Sequence, residues 1–139
     1  MRSRRMQVTV RWGETDAAGI VFYPNVFAWF DLAAMEYFED MDPPFSERVR
    51  RRQNGLPIIE AHCRFLLPVA YHDRLEIRSR IAEIRERSFR IEHAVYRGEE
   101  LIAEGAEVRV FVQYDPATGE MRGQPLTPEM RAFMEAPEM

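Results

Sequence analysis

The sequence predicts an α+β fold in which an antiparallel, five-stranded sheet wraps around one long central helix. Three observations predict it. The segment from Pro24 to about Met41 carries apolar residues at helical spacing, alternating apolar and polar runs lie on both sides of it, and 139 residues suit one domain spanning 1–139.

The first strand is read from Met6 to Trp12, with Met6, Val8, Val10 and Trp12 on one side and Gln7, Thr9 and Arg11 on the other. Gly13 to Gly19 is a loop by composition, and Ile20 to Tyr23 lead into Pro24, a residue tolerated in the first turn of a helix because its missing amide hydrogen is not needed there. Within the helix Val26, Phe27, Phe30, Ala34, Tyr37, Phe38 and Met41 follow the helical period, and Trp29, Leu32 and Ala33 widen the apolar face. A helix so apolar is buried by something wrapped around it.

Asp42-Pro-Pro44 ends that helix, and Ser46 to Arg52 forms a short polar one. Four further strands follow: a run within Leu56–Tyr71 broken by Pro57 and Pro68, then Arg74–Ile84, Ser88–Arg97 and Leu101–Tyr114. Tyr71-His-Asp73 and Gly98-Glu-Glu100 read as tight connections. On the last strand Ala106, Val108, Val110 and Val112 form the expected dry face. Asp115 to Gly119 is a turn, and Thr127 to Met134 a terminal helix whose Pro128 and Glu129 suit its first turn. One sheet covering one helix is the economical layered solution, and the sheet's edges favour a homo-oligomer.

Net charge is −4, and all 19 basic residues are arginines. Without lysine there is no Schiff-base chemistry, no pyridoxal phosphate anchor and no phosphate loop that depends on lysine. Cys63 is the sole cysteine, so no internal disulfide and no cysteine-based zinc site forms. His62, His72 and His93 lie on strand-like segments without metal-ligand spacing, so the expectation is no metal. No apolar run reaches membrane length and no leader is visible, so a cytoplasmic chain with no membrane partner is expected. The acidic balance argues against nucleic acid, and Arg48-Val-Arg-Arg-Arg52 reads as a solvated face.

No serine sits in a nucleophile elbow. The informative stretch is Arg11 to Asn25. Asp16 lies in a loop just before the helix start, where unpaired backbone amides carry partial positive charge and stabilise an oxyanion. A carboxylate there can attack a carbonyl or activate water, with the amide of Tyr23 or a close neighbour as the donor because Pro24 has none. A turn or capping role for Asp16 is the competing reading.

The run Gly13-Glu-Thr-Asp-Ala-Ala-Gly-Ile-Val-Phe-Tyr-Pro-Asn25, followed by Trp29-Phe-Asp31, resembles the 4-hydroxybenzoyl-CoA thioesterase family. The resemblance extends from about Met6 to Phe111, with secondary matches at Arg85–Phe89 and Val108–Phe111 and a weak match beyond Asp115. It implies the hotdog fold and hydrolysis of an acyl-CoA thioester, with Asp16 as nucleophile or general base and the Tyr23 amide polarising the carbonyl. Tyr23 stands where much of the wider superfamily has histidine, which favours an aromatic acyl group. The resemblance also implies a substrate-binding set of Gly19, Phe22 and Asp31 around the acyl group, and Arg85, Arg87 and Ser88 at the CoA phosphates; Glu86 departs from a more basic version of that run. Arg109 is a further phosphate candidate, with a structural ion pair as the alternative. No cofactor is expected, since CoA is part of the substrate, and a tetramer is preferred over a dimer. The alternatives are an aliphatic acyl-CoA or acyl carrier protein thioesterase, and an acyl-CoA-binding module without catalysis.

Overall fold

The computed structural model describes residues 1–137. The expected domain thus reaches two residues beyond the described ones. Strand β1 (Ser3–Thr9) leads through one 3-10 turn (Trp12–Glu14) to helix α1 (Pro24–Glu39) and short helix α2 (Phe45–Arg50). Then come β2 (Asn54–Gly55), β3 (Ile58–Phe65), β4 (Arg74–Ile84), β5 (Ser88–Arg97), β6 (Glu100–Tyr114), β7 (Met121–Gln124) and helix α3 (Pro128–Glu135).

Among the described residues the strand pairs of the sheet are antiparallel, in the order β1-β4-β5-β6, with β2, β3 and β7 each pairing with β6. The five long strands are those expected; β2 and β7 are two short additions. They were missed because runs of two and four residues carry too little alternation to register.

Helix α1 begins at Pro24 and buries Val26, Trp29, Phe30, Ala33, Ala34, Tyr37 and Phe38 against the sheet. Two clusters make up the core. The N-terminal half of α1 packs with Val10, Val21, Leu75, Ile77 and Val95; the C-terminal half packs with Phe45, Phe89, Ile91, Phe111, Met130 and Met134. Helix α3 closes the second cluster, and its Thr127 side chain caps the Met130 amide.

Three local expectations are corrected. The first strand ends at Thr9, and Trp12, expected on its inner face, is 72% exposed and packs edge-on against Tyr71. The chain turns there because the buried Glu14 carboxylate reaches back to the Arg11 amide at 2.8 Å, closing a tight turn as capping boxes do. His72 lies in the connection before β4, with φ 72°, rather than on a strand.

The third correction concerns β6. Its inward residues are Ala103, Gly105, Glu107, Arg109 and Phe111; of the expected dry face Ala106 and Val112 are buried, whereas Val108 and Val110 are only half-buried. Register confirms the phase, because the inward Phe89, Ile91, His93 and Val95 of β5 lie opposite Arg109, Glu107, Gly105 and Ala103. The pattern misled because two charged residues point inward, where His93 and Asp31 satisfy them.

Gly105 is required by this packing. A Cβ there would stand 2.1 Å from the His62 carbonyl oxygen and 2.9 Å from a Phe30 ring carbon, so neither β3 nor α1 would keep its distance from β6. In the polar run near α2, Arg50, Arg51 and Arg52 are exposed as expected, whereas Arg48 is largely covered and paired with Glu129.

Candidate active site

The loop between β1 and α1 is a small hairpin. Asp16 donates its amide to the Ile20 carbonyl at 2.9 Å, and Phe22 donates to the Glu14 carbonyl at 2.9 Å, so Thr15 lies opposite Val21. Gly19 turns its tip with φ 81°, a conformation that disfavours any side chain, and donates to the Asp16 carbonyl at 3.0 Å. Glu14 anchors the loop to the helix: its carboxylate accepts from the Trp29 indole at 2.7 Å and its carbonyl accepts from the Asn25 side chain at 2.8 Å. Burial pushes the Glu14 carboxyl up, but the Arg11 amide and the Trp29 indole outweigh it and hold the group below its ordinary range.

Asp16 itself is exposed. One carboxylate oxygen accepts from the Ala18 amide at 2.8 Å, and the other makes no hydrogen bond among the described residues. The turn role weighed for Asp16 is thus real, and it uses one oxygen only.

Tyr23 sits at the helix start with helical dihedrals (φ −54°, ψ −33°), and its carbonyl accepts from Val26. Its amide has no acceptor among the described residues, whereas the amides on either side do not compete: Phe22 is bonded to Glu14, and Pro24 has no N–H. The Tyr23 amide is therefore an oriented donor at the positive end of a sixteen-residue helix. Beside it an apolar cleft of about 230 Å³ is lined by Ile20, Val21, Tyr23, Val26, Trp29 and Phe65, among others. A free carboxylate oxygen and a free amide on one loop, next to an apolar cleft, can bind and polarise an acyl carbonyl and deliver a nucleophile to it.

Of the residues singled out in the sequence, Asp16, Gly19, Phe22 and Tyr23 share this loop, with the Phe22 and Tyr23 rings largely exposed. Asp31 lies eight residues beyond Tyr23 on α1, about 12 Å along the axis. Tyr23, Phe27 and Asp31 recur every fourth residue, so they share one helix stripe. Asp31 is 59% exposed, and one of its oxygens accepts from Arg109 at 2.6 Å.

Arg85, Arg87 and Ser88 are not brought to this loop within one chain. They form the β4–β5 hairpin, where Arg85 bonds Glu83 and the Arg87 guanidinium donates to the Gly123 carbonyl. Thr9, just before the active loop, pairs with Arg74 at the other end of β4, and eleven strand residues span roughly 35 Å. Arg109, weighed as a phosphate contact, is buried and serves the ion pair instead. Glu60 and His62 are exposed on β3.

Sequence reasoning missed Glu14 and the buried row beneath α1. Ser79 and His93 Nδ1 are 2.7 Å apart, His93 Nε2 and Glu107 are 2.8 Å apart, and Arg109 donates to Glu107 at 2.9 Å and to the Leu56 carbonyl at 2.8 Å. Burial raises the Glu107 carboxyl, but the His93 hydrogen bond and the Arg109 charge overcome it and leave the group below its ordinary range. The sequence signals were Ser79 and His93, each in phase with the apolar face of its strand, and the charges Glu107 and Arg109 at alternate positions of a strongly apolar strand.

Comparison with known proteins bears on the family and the fold. Residues 10–137 match the model of the thioesterase-like superfamily. The chain is 36% identical over 121 residues to 4-hydroxybenzoyl-CoA thioesterase of Pseudomonas sp. (strain CBS-3), covering 82% of this chain and 86% of that protein. It is 31% identical over 102 residues to 1,4-dihydroxy-2-naphthoyl-CoA hydrolase of Synechococcus sp. (strain CC9605), covering 70% and 68%. Among solved structures, a gentisyl-coenzyme A thioesterase superposes with a TM-score of 0.84 at 34% identity, over 92% of this chain and 99% of that one. The family match, the relatives and the shared fold place the chain in the thioesterase-like superfamily, among the acyl-CoA thioesterases with the hotdog fold.

Proposed function

We propose that this chain, as one domain, hydrolyses the thioester of an aromatic acyl-CoA, releasing the carboxylic acid and free CoA. The observation that carries the reading is the unpaired Tyr23 amide at the start of α1, on the same loop as the open oxygen of Asp16. The amide polarises the thioester carbonyl; Asp16 attacks its carbon, giving a mixed anhydride that water then cleaves, or draws a proton from a water that attacks directly. In the first route thiolate leaves as the anhydride forms, and water then frees the acid and Asp16; in the second it leaves when the tetrahedral adduct of water collapses; in both it takes up a proton. The carboxylate and the amide supply both functions, so the reading calls for no metal or organic cofactor.

The aromatic choice is supported by the similar proteins above, each described as acting on a hydroxylated aromatic acyl-CoA. In this reading Phe22 and Gly19 border the acyl group, the open oxygen of Asp31 accepts from a ring hydroxyl, and Arg85, Arg87 and Ser88 hold CoA phosphates, arginine forks being suited to them. Since one chain separates that hairpin from the Asp16 loop, the phosphate contacts come from a second copy.

The working form is accordingly a homo-oligomer, a tetramer in preference to a dimer. Strand β3 supports this, because among the described residues it pairs with β6 alone, leaves its other edge open and exposes Ile59 at 63% together with Ile58 and Phe65. Sedimentation equilibrium should return four times the chain mass; a monomer at micromolar concentration would contradict the arrangement. Among the described residues no helix is long and apolar enough to cross a membrane. The reading keeps the chain in the cytoplasm with neither membrane nor nucleic acid as partner.

Thiol release across benzoyl-, 4-hydroxybenzoyl-, phenylacetyl-, short-chain and long-chain acyl-CoAs tests the substrate class. The hydroxylated aromatic thioester should have the highest kcat/KM. Faster turnover of an aliphatic acyl-CoA, or of an acyl carrier protein thioester, would overturn the aromatic assignment, and tight binding without thiol release would point to a binding module.

A further inference from the structure

We propose that Arg109 is a positioning residue that sets specificity: it fixes Asp31 in one orientation so that the outer carboxylate oxygen is a preformed acceptor for a ring hydroxyl on the acyl group. This rests on the functional reading above.

The geometry is a row of groups that begins in the core and ends at the surface. Ser79 meets His93, His93 meets Glu107, Glu107 meets Arg109 and Arg109 meets Asp31, at 2.7, 2.8, 2.9 and 2.6 Å. Ionised Glu107 is an acceptor on both oxygens, so the imidazole Nε2 must present a proton and Arg109 fills the second oxygen. The His93 ring also stacks on Phe30, 4.7 Å between centroids, and Phe30 is the residue immediately before Asp31 on α1. The guanidinium is 4% exposed and is held a third way by the Leu56 carbonyl. Arg109 is thus buried and held by three acceptors, and the single oxygen it takes from Asp31 leaves the other without a partner among the described residues.

A purely structural role explains this less well. Burying a cluster of charges stabilises a fold poorly compared with apolar side chains of the same volume. Here Asp31 is the exposed end of the cluster, and it lies on the helix stripe that carries Tyr23 and Phe27. Exposed aspartates sample several rotamers; this one is locked from below, which is what a specificity contact needs.

The experiment measures kcat and KM for 4-hydroxybenzoyl-CoA and benzoyl-CoA in the wild-type protein, Arg109→Met, Arg109→Lys, Asp31→Asn and the Arg109→Met/Asp31→Asn double variant. The kcat/KM ratio, hydroxylated over unsubstituted, should fall about ten- to a hundredfold in Asp31→Asn, as expected for one hydrogen bond to a charged group. Arg109→Met should lower the same ratio about tenfold, Arg109→Lys less, because a point charge holds the carboxylate without the fork. The double variant should show no further loss beyond Asp31→Asn, the sign of two residues acting on one contact. Equal losses on both substrates, leaving the ratio unchanged, would make Arg109 merely structural and overturn the proposal. Should Arg109→Met fail to fold, the Arg109→Lys ratio decides alone: unchanged, it overturns the proposal. Wild-type protein that hydrolyses neither thioester overturns the functional reading itself, a result distinct from an active enzyme whose ratio ignores Arg109.

Discussion

Asp16→Asn should lower kcat by about a hundred- to ten-thousandfold, the range for removing a positioned acid-base or nucleophilic group, while substrate binding and folding persist. The fold should be indifferent because the asparagine oxygen still accepts from the Ala18 amide and the loop is held mainly by backbone bonds and by Glu14. What is lost is the charge and basicity of the open oxygen. Steady-state thiol release alongside a thermal melt checks this. Turnover within about threefold of wild type, with an unchanged melt, would remove Asp16 from the reaction under either chemical route.

The largest stability effect is expected at Phe38. Its ring is fully buried in the C-terminal cluster, with centroids 5.4 Å from Phe89, 5.9 Å from Phe45 and 6.0 Å from Phe133. Those neighbours come from β5, α2 and α3, so truncation opens a cavity at the junction of three elements that cannot all close in. Phe38→Ala should cost about 3–5 kcal/mol in urea unfolding, as large-to-small aromatic changes in a core do. A loss below about 1 kcal/mol would mean that α3 does not seal this end of the core as described.

The helix and the hairpins were legible because periodicity is a local property. Pro24 and the spacing of Val26, Phe30, Ala34 and Phe38 announce α1, and strict alternation announces β4 and β5. Strand β6 was placed correctly and Ala106 and Val112 are buried as expected, but Glu107 and Arg109 point inward where Val108 and Val110 were expected to, since alternation shows that two faces differ and not which one is inward. Glu107 and Arg109 look like solvent residues until His93, Asp31 and the Leu56 carbonyl arrive from elsewhere in the chain. Trp12 went wrong for the opposite reason: an apolar residue in phase with a strand is no guarantee that the strand continues, and the Glu14 carboxylate ended it.

The site followed the same division. The loop from Gly13 to Tyr23 is contiguous, so its candidates were found together. The hairpin carrying Arg85, Arg87 and Ser88 belongs to the opposite end of β4, a separation that only register reveals. Glu14, which ties the loop to Trp29, had no signal beyond its position three residues after Arg11.

The most direct test of the account is the structure of the Asp16→Asn variant with 4-hydroxybenzoyl-CoA bound. The account predicts the thioester carbonyl oxygen within about 2.7–3.1 Å of the Tyr23 amide nitrogen, with its carbon facing the side chain at position 16. A thioester held elsewhere, with the Tyr23 amide bonded to solvent, would contradict it.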